Sequence, residues 1–174
     1  MRVLIAGREG QVARALLERL VNSNHQVTAL EPPDLDLTNH ASIAAAMTMV
    51  VPDLVVNAAA YTAVDRAEDQ PEVARAVNAT GAGWLAKAAG ARGVPFVHFS
   101  TDYVFDGLKG VPYVEADAPK PLGIYGATKE AGEVAVLAAN PRSVVIRTAW
   151  VCSADGANFV KTMLRLAKER ALSL

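Results

Sequence analysis

Five short apolar runs alternate with longer segments of helical pattern, and this alternation sets the fold that the chain can adopt. The runs, each bounded by turn-forming residues, lie near 2–6, 26–30, 53–57, 94–99 and 144–148. The helical segments lie near 11–22, 39–50, 71–89, 125–139 and 157–170. Because successive parallel strands are joined by right-handed crossovers, we predict an α/β fold with a doubly wound, Rossmann-like parallel sheet. Its expected strand order is 2-1-3-4-5, with ligands bound beyond the carboxyl ends of the strands.

The first expected strand leads into a glycine turn that suits a dinucleotide. Gly7 and Gly10 follow the apolar run, and Ala13 completes the spacing G-x-x-G-x-x-A before an amphipathic segment. A strand, a glycine turn and a helix together bring backbone N–H groups close to a pyrophosphate. Gly7 would form the tight turn, Gly10 would admit the phosphate, and Ala13 would pack against the strand. An ordinary strand-to-helix turn is the alternative interpretation.

A tyrosine and a lysine four residues apart indicate proton-transfer chemistry. Tyr125 and Lys129 stand at the expected start of a helix, where this spacing places the phenol and the ammonium on one face. A nearby cation favours the phenolate, so we expect a Tyr125 pKa below that of a free phenol. Reduction of a carbonyl group requires such a proton donor when a hydride arrives from a cofactor. A surface pair on a helix is the alternative interpretation.

Residues suited to a binding site lie at or just after the ends of four expected strands, at the same edge of the sheet. They are Gly7, Asn57, Ser100 and Thr148. The segment 101–124 is rich in glycine and proline, and we expect it to form a long functional loop.

Composition excludes several other classes of function. The 174 residues suffice for one domain with a sizeable core, and the 52% hydrophobic content is typical of buried strands. A net charge of −1 argues against a nucleic-acid binder. The single Cys152 and the scattered His25, His40 and His98 offer no metal site. With an apolar start too short for a signal peptide or a membrane span, we expect a cytoplasmic protein without a membrane partner.

Together these motifs resemble the extended short-chain dehydrogenase/reductase superfamily and, within it, the dTDP-4-dehydrorhamnose reductase family. The resemblance covers the whole chain, and the pair STDYVFDG and YGATKEAGE is its most specific part. Besides the glycine turn, it is carried by VVNAAAYTAVDRAE (55–68), VNATGAGWLA (77–86), STDYVFDG (100–107), PLGIYGATKEAGE (121–133), RTAWV (147–151) and NFVKTML (158–164).

The resemblance implies a catalytic triad of Thr101, Tyr125 and Lys129. Thr101 would hydrogen-bond the substrate carbonyl oxygen, Tyr125 would protonate it, and Lys129 would lower the Tyr125 pKa and hold the nicotinamide ribose. The deoxysugar would lie among Asp102, Tyr103 and Trp150, although Trp150 is also interpretable as a loop anchor. The implied cofactor contacts are Gly7, Glu9, Gly10, Gln11, Val12, Glu31, Asp36, Leu37, Ala58, Ala59, Ala60, Tyr61 and Lys129.

The choice of cofactor stays open, so both NADP (NADPH) and NAD (NADH) are expected. Glu31 follows the second strand, where an acid binds a ribose 2′-hydroxyl and favours NADH. Arg8 lies within the glycine turn, where it would meet the 2′-phosphate of NADPH. A plain surface role is the alternative for either residue.

The implied activity is NAD(P)H-dependent reduction of the 4-keto group of a dTDP-6-deoxy sugar, from dTDP-4-dehydro-L-rhamnose to dTDP-L-rhamnose. Tyr103 stands where related nucleotide-sugar 4,6-dehydratases carry an acidic residue, which favours a reductase and leaves a nucleotide-sugar epimerase as a rival. Members of the family are longer than this chain. We therefore expect a dinucleotide-binding domain over 1–174, with the small substrate-binding lobe absent or only begun near 150–174.

This shortness supports a second hypothesis, a cofactor-binding but catalytically idle fragment or regulatory subunit. The residues Ala171-Leu172-Ser173-Leu174 read as the entry to a further strand. An incomplete sheet would leave apolar surface exposed, so self-association, including a homodimer, is expected.

Overall fold

The computed structural model describes residues 1–154 and 156–169, and within them it contains five strands and seven α-helices. The strands are β1 (Arg2–Ala6), β2 (Gln26–Leu30), β3 (Leu54–Asn57), β4 (Phe96–Thr101) and β5 (Ser143–Thr148). The helices are α1 (Gln11–Val21), α2 (His40–Val50), α3 (Val64–Asp69), α4 (Pro71–Arg75), α5 (Ala82–Gly90), α6 (Ile124–Ala139) and α7 (Phe159–Glu169). A π-helical stretch (Ala76–Gly81) joins α4 to α5, and a 3₁₀ turn (Asp102–Val104) follows β4.

The strands form one parallel sheet in the order β2-β1-β3-β4-β5, which confirms the predicted fold and topology. Alternation along the buried strand β1 explains why helices pack on both faces. Val3 and Ile5 join Ala13 of α1 in one apolar cluster, whereas Leu4 and Ala6 join a larger cluster with α2, α5 and α6. Each face therefore has its own core, as a doubly wound sheet requires.

The edge strand β5 and the helix that follows it leave apolar surface exposed. Val144 and Ile146 of β5 are exposed, and they pair in register with Val97 and Phe99 of β4. All eleven residues of α7 are at least partly exposed, including Phe159 and Leu164. The predicted entry to a strand at 171–174 lies outside the described residues.

The helix predicted over 71–89 is the element that the sequence describes least well. It begins at Pro71 and ends at Gly90, but the π-helical stretch interrupts it, and α3 precedes it without having been predicted. Within the stretch, the Asn78 side chain accepts a hydrogen bond from Tyr61 N (2.8 Å) and donates to Tyr61 O (3.1 Å) and Thr128 Oγ1 (3.2 Å). The helical periodicity of the sequence does not indicate these long-range hydrogen bonds.

Helix α6 packs so closely against the π-helical stretch that a side chain at the contact does not fit. A Cβ atom built on Gly132 would lie 2.1 Å from the backbone oxygen of Asn78. Since that neighbour is backbone inside a packed core, it cannot move away without displacing one element.

Gly132→Ala should therefore lower the free energy of unfolding by about 2 kcal/mol or more, although alanine is the better helix former. Urea unfolding followed by circular dichroism measures the change. The matched control is Gly10→Ala, because a Cβ there has open space among the described residues and the backbone is extended. Equal stability of the two variants would contradict the close contact.

Candidate active site

A cleft of about 680 Å³ opens at the carboxyl ends of the strands. It brings together residues from the glycine turn, from the segment after β3, from the end of β4, from α6 and from the segment after β5. The predicted site residues that line it are Glu9, Gly10, Gln11, Val12, Ala58, Ala59, Ala60, Thr101, Asp102, Tyr103, Tyr125, Lys129 and Trp150. Segments far apart in the sequence thus meet at the predicted switch point of the sheet.

The glycine turn has the backbone geometry of an anion site. Gly7 has φ +95°, and a Cβ on it would lie 3.3 Å from the Ala59 nitrogen, so both conformation and space favour glycine. Gly10 precedes α1 with extended backbone, and among the described residues no side chain caps this helix. The first N–H groups of α1 have no intrahelical acceptor, and they lie at the cleft. The turn thus fits the pyrophosphate of a dinucleotide.

Arg8 and Glu31, which point to different cofactors, form an ion pair with each other. The Arg8 guanidinium lies 3.6 Å from Glu31 Oε1, and Glu31 Oε2 accepts a hydrogen bond from Glu9 N (3.2 Å). Glu31 is therefore fixed at the glycine turn, beside the cleft, with a cation in contact. Whether either residue contacts the adenosine ribose of a dinucleotide stays a prediction.

Tyr125 lies among Thr101, Asp102 and Tyr103 at one end of the cleft. Its ring meets that of Tyr103 edge-on, with centroids 5.5 Å apart. Burial raises the pKa of the Tyr125 phenol, and Asp102 and Tyr103 raise it further, whereas a hydrogen bond with Thr101 lowers it. The expected lowering of the Tyr125 pKa is wrong for this state of the protein, because desolvation outweighs the groups that favour the phenolate.

Lys129 is buried at the base of the cleft, with 2% of the residue exposed. Its ammonium donates a hydrogen bond to the carbonyl oxygen of Phe99 (2.6 Å) and lies 3.5 Å from His98 Nε2. Burial lowers the pKa of Lys129 to about 8, and the Glu133 carboxylate opposes this shift. The amine is therefore close to its titration point at physiological pH.

His98 supports this lysine, a role that the sequence did not reveal. It is fully buried on β4, and its Nδ1 atom lies 3.2 Å from the Asn57 amide nitrogen. Burial, with the neighbouring Lys129 charge, lowers the pKa of His98 to about 3. The imidazole is consequently neutral at pH 7, and it contacts Lys129 without repelling it.

Two carboxylates hold the helix that carries Tyr125 and Lys129. Glu68 Oε1 of α3 accepts a hydrogen bond from Ile124 N (2.7 Å), at the first turn of α6. Glu133, one turn after Lys129, is buried and bonded to both Ser100 and Arg147. Helical spacing places Glu133 near Lys129, and this spacing is the one signal that sequence analysis could have used.

Some predicted cofactor residues do not line the cleft. Gly7 shapes the turn behind it, and Glu31 binds Arg8 beside it. The Asp36 carboxylate accepts two hydrogen bonds from Thr38, and the Leu37 side chain is buried in the larger core. The Tyr61 hydroxyl donates to Gln70 Oε1 (3.0 Å). A contact between a cofactor and the Gly7, Glu31, Asp36, Leu37 or Tyr61 position stays a prediction.

Trp150 stands at the mouth of the cleft on strained backbone. Its φ is +53°, it is 79% exposed, and its ring meets that of Phe159 edge-on at 5.4 Å. Gln11 ties the following segment to the glycine turn, because its Oε1 accepts hydrogen bonds from Ser153 (3.3 Å) and Asn158 (3.2 Å). Such strain is typical of functional sites.

The described part of the chain offers neither a membrane span nor a metal site. No helix in 1–154 and 156–169 is long and apolar enough to cross a bilayer. The same residues contain no group of three or more histidine, cysteine, aspartate or glutamate side chains placed to hold a metal ion.

A family model and a curated relative both match nearly the whole of this chain. Residues 1–172 match the family model described as the RmlD substrate binding domain. A dTDP-4-dehydrorhamnose reductase of Sinorhizobium fredii is 47% identical over 167 residues, which is 96% of this chain and 56% of the relative. The chain therefore spans little more than half the length of this curated relative.

Two solved structures share the fold closely. A dTDP-4-dehydrorhamnose reductase of Clostridium acetobutylicum superposes with a TM-score of 0.94 at 43% identity. The enzyme of the same name from Bacillus anthracis, solved in complex with NADP, superposes with a TM-score of 0.94 at 39% identity. In both cases 97% of this chain matches 60% of the solved chain.

Proposed function

The chain belongs to the RmlD substrate binding domain family, and from this membership we propose that it reduces the 4-keto group of a dTDP-6-deoxy sugar with NADPH or NADH. The expected reaction converts dTDP-4-dehydro-L-rhamnose to dTDP-L-rhamnose. One observation carries the proposal: Thr101, Tyr125 and Lys129 line the same cleft as the glycine turn, and among the described residues no side chain caps the helix that follows this turn.

Three residues of the cleft have separate roles in the proposed carbonyl reduction. The bound nicotinamide supplies a hydride to the carbonyl carbon. Tyr125 gives its phenolic proton to the carbonyl oxygen, which becomes the hydroxyl of the product. Thr101 hydrogen-bonds the same oxygen, and the cationic Lys129 stabilises the phenolate that Tyr125 becomes. The raised Tyr125 pKa keeps the phenol protonated until the reaction draws the proton away.

The names of the relatives support this choice of substrate and cofactor. The Sinorhizobium relative is a dTDP-4-dehydrorhamnose reductase, and the Bacillus structure holds NADP. Asp102, Tyr103 and Trp150 line the same cleft as the triad, and we propose that they contact the deoxysugar. The homodimer stays a prediction, supported by the exposed apolar residues of β5 and α7.

A second candidate is a domain that binds the cofactor without turning over a substrate. The exposure of α7, whose residues are all at least partly exposed, favours it. The glycine turn and the cleft would serve the same cofactor in this case. Both candidates therefore predict cofactor binding, and only the reductase predicts turnover of the substrate.

The deciding experiment is a fluorescence titration of the chain with NADPH and NADH, followed by a turnover assay on dTDP-4-dehydro-L-rhamnose. Saturable binding with formation of dTDP-L-rhamnose is the expected result. Binding without product would favour the idle domain. An absence of binding to either cofactor would overturn both candidates.

The Arg8–Glu31 pair should control the preference between the two cofactors. Glu31→Gln removes one of the two carboxylates that hold Arg8, the other being Glu9 (3.7 Å), so the guanidinium becomes more available to a 2′-phosphate. We expect about a tenfold shift in the ratio of dissociation constants toward NADPH, which corresponds to one charge-assisted hydrogen bond. The control is Glu18→Gln, since Glu18 is an exposed acid on α1 outside the cleft residues. An unchanged ratio in Glu31→Gln would assign the pair a surface role.

A further inference from the structure

Glu133 ends the YGATKEAGE segment, and the proposed reaction gives it no role. It is 5% exposed, and its carboxylate accepts three hydrogen bonds. Ser100 Oγ donates to Oε1 (2.5 Å), Arg147 Nε donates to Oε1 (2.9 Å), and an Arg147 terminal nitrogen donates to Oε2 (2.6 Å). A buried carboxylate is costly unless it is paired in this way, so its presence calls for an explanation.

The partners of Glu133 belong to the elements that carry the triad. Ser100 directly precedes Thr101 on β4, and it pairs in register with Arg147 on β5. Glu133 itself stands on α6, one turn after Lys129. The carboxylate therefore joins the ends of two strands to the helix that holds the tyrosine and the lysine.

Arg147 extends this connection to the loop after β4. Its guanidinium lies 4.9 Å from the centre of the Phe105 ring, and Phe105 stacks on Tyr113 at 4.1 Å. The Tyr113 hydroxyl in turn donates to Asp106 Oδ1 (2.9 Å). A chain of contacts thus runs from α6 to the loop that borders the candidate sugar site.

We propose that Glu133 is a positioning residue, which fixes the ends of β4 and β5 against α6 and so holds Lys129 and Thr101 in their working arrangement. This inference rests on the proposed function, because it assigns Glu133 a task in the same reaction. A displacement of about 1 Å in such an arrangement lowers rates by about a hundredfold.

Glu133 also acts on Lys129 through its charge. The titratable groups that contact Lys129, share its cleft or act on its charge are His98, Tyr125, Glu133, Asp102, Tyr103 and Glu9, with Arg147 bound to Glu133. Among them, Glu133 raises the pKa of Lys129 against the effect of burial. A neutral residue at position 133 should therefore lower that pKa further below about 8.

The test compares Glu133→Gln, Glu133→Asp and Glu130→Gln in the full chain. Glu130→Gln is the control on the same helix, because Glu130 makes no hydrogen bond to β4 or β5 among the described residues and its charge acts on Arg147 rather than on Lys129. Lysine side-chain NMR, assigned with Lys129→Arg, gives the Lys129 pKa without cofactor or substrate. Steady-state reduction gives the pH profile and the change in kcat/KM.

We expect Glu133→Gln to lower kcat/KM by about 10- to 100-fold and to move both the Lys129 titration and the alkaline limb of the profile to lower pH. Glu133→Asp keeps the charge, so its Lys129 pKa should lie between those of the wild-type chain and of Glu133→Gln. Glu130→Gln should change neither the Lys129 pKa nor kcat/KM. If Glu133→Gln does not fold, Glu133→Asp carries the test, with reduced kcat/KM and a Lys129 pKa that is lowered only in part.

The outcomes separate this inference from the proposed function. A wild-type chain without turnover would contradict the reductase, and the NMR titration would still measure the coupling of Glu133 to Lys129. A wild-type chain with turnover whose Glu133 variants match Glu130→Gln in both titration and rate would overturn the positioning role.

Discussion

Tyr125→Phe should lower kcat/KM for the reduction of dTDP-4-dehydro-L-rhamnose by about a thousandfold and change the dissociation constant of NADPH by less than about twofold. The size of the effect follows from the loss of the one positioned proton donor, which is typically a 10²- to 10⁴-fold effect. Cofactor binding should survive, because the glycine turn and Lys129 remain. Stopped assays for dTDP-L-rhamnose and a fluorescence titration measure the two quantities.

The control for this variant is Tyr113→Phe, which removes a hydroxyl that bonds Asp106 in the loop rather than one beside Thr101. Its kcat/KM should stay within about threefold of the parent value. Full activity in Tyr125→Phe would assign the proton to another donor. Loss of NADPH binding in the same variant would show instead that Tyr125 belongs to the cofactor site.

The sheet was predictable because its signals are local. Each strand is a short apolar run between turn formers, and the order 2-1-3-4-5 is one of the common doubly wound orders that right-handed crossovers allow. The π-helical stretch was not predictable, because Asn78 bonds Tyr61 and Thr128 across 17 and 50 residues of sequence. Periodicity reports which face of a helix is apolar, and it carries no information on such tertiary bonds.

Part of the cleft lining was predictable from the sequence, whereas the electrostatics of the cleft were not. Spacing alone placed Tyr125 and Lys129 on one helical face, and both line the cleft. The sign of the Tyr125 pKa shift depends on burial, which a single sequence does not display. The same holds for His98, whose place behind Lys129 arises from the pairing of β3 with β4. The position of His98 next to Lys129 is therefore a result of tertiary packing, which sequence spacing does not indicate.

Lys129→Met should raise the free energy of unfolding at pH 7 by about 1 to 3 kcal/mol while it abolishes reduction. The wild-type cation is 2% exposed, and its pKa falls from the ordinary 10.5 to about 8 on folding. Below pH 8 the folded state holds a buried charge that the unfolded state hydrates, and this difference costs stability. Methionine fills a similar volume without the charge, and the lost bond to Phe99 offsets part of the gain.

The pH dependence identifies this cause. Between about pH 8 and 10.5 the unfolded wild-type chain binds more protons at Lys129 than the folded chain does, so wild-type stability rises with pH across that window. The advantage of Lys129→Met should therefore shrink across the same window. Lys87→Met, at an exposed position of α5, should show no such dependence. An advantage that is absent at pH 7, or constant up to pH 10.5, would mean that folding does not penalise the Lys129 charge. A gain that fades as predicted would mean that the chain gives up stability to keep a buried cation at the base of the cleft, which a purely structural lysine does not require.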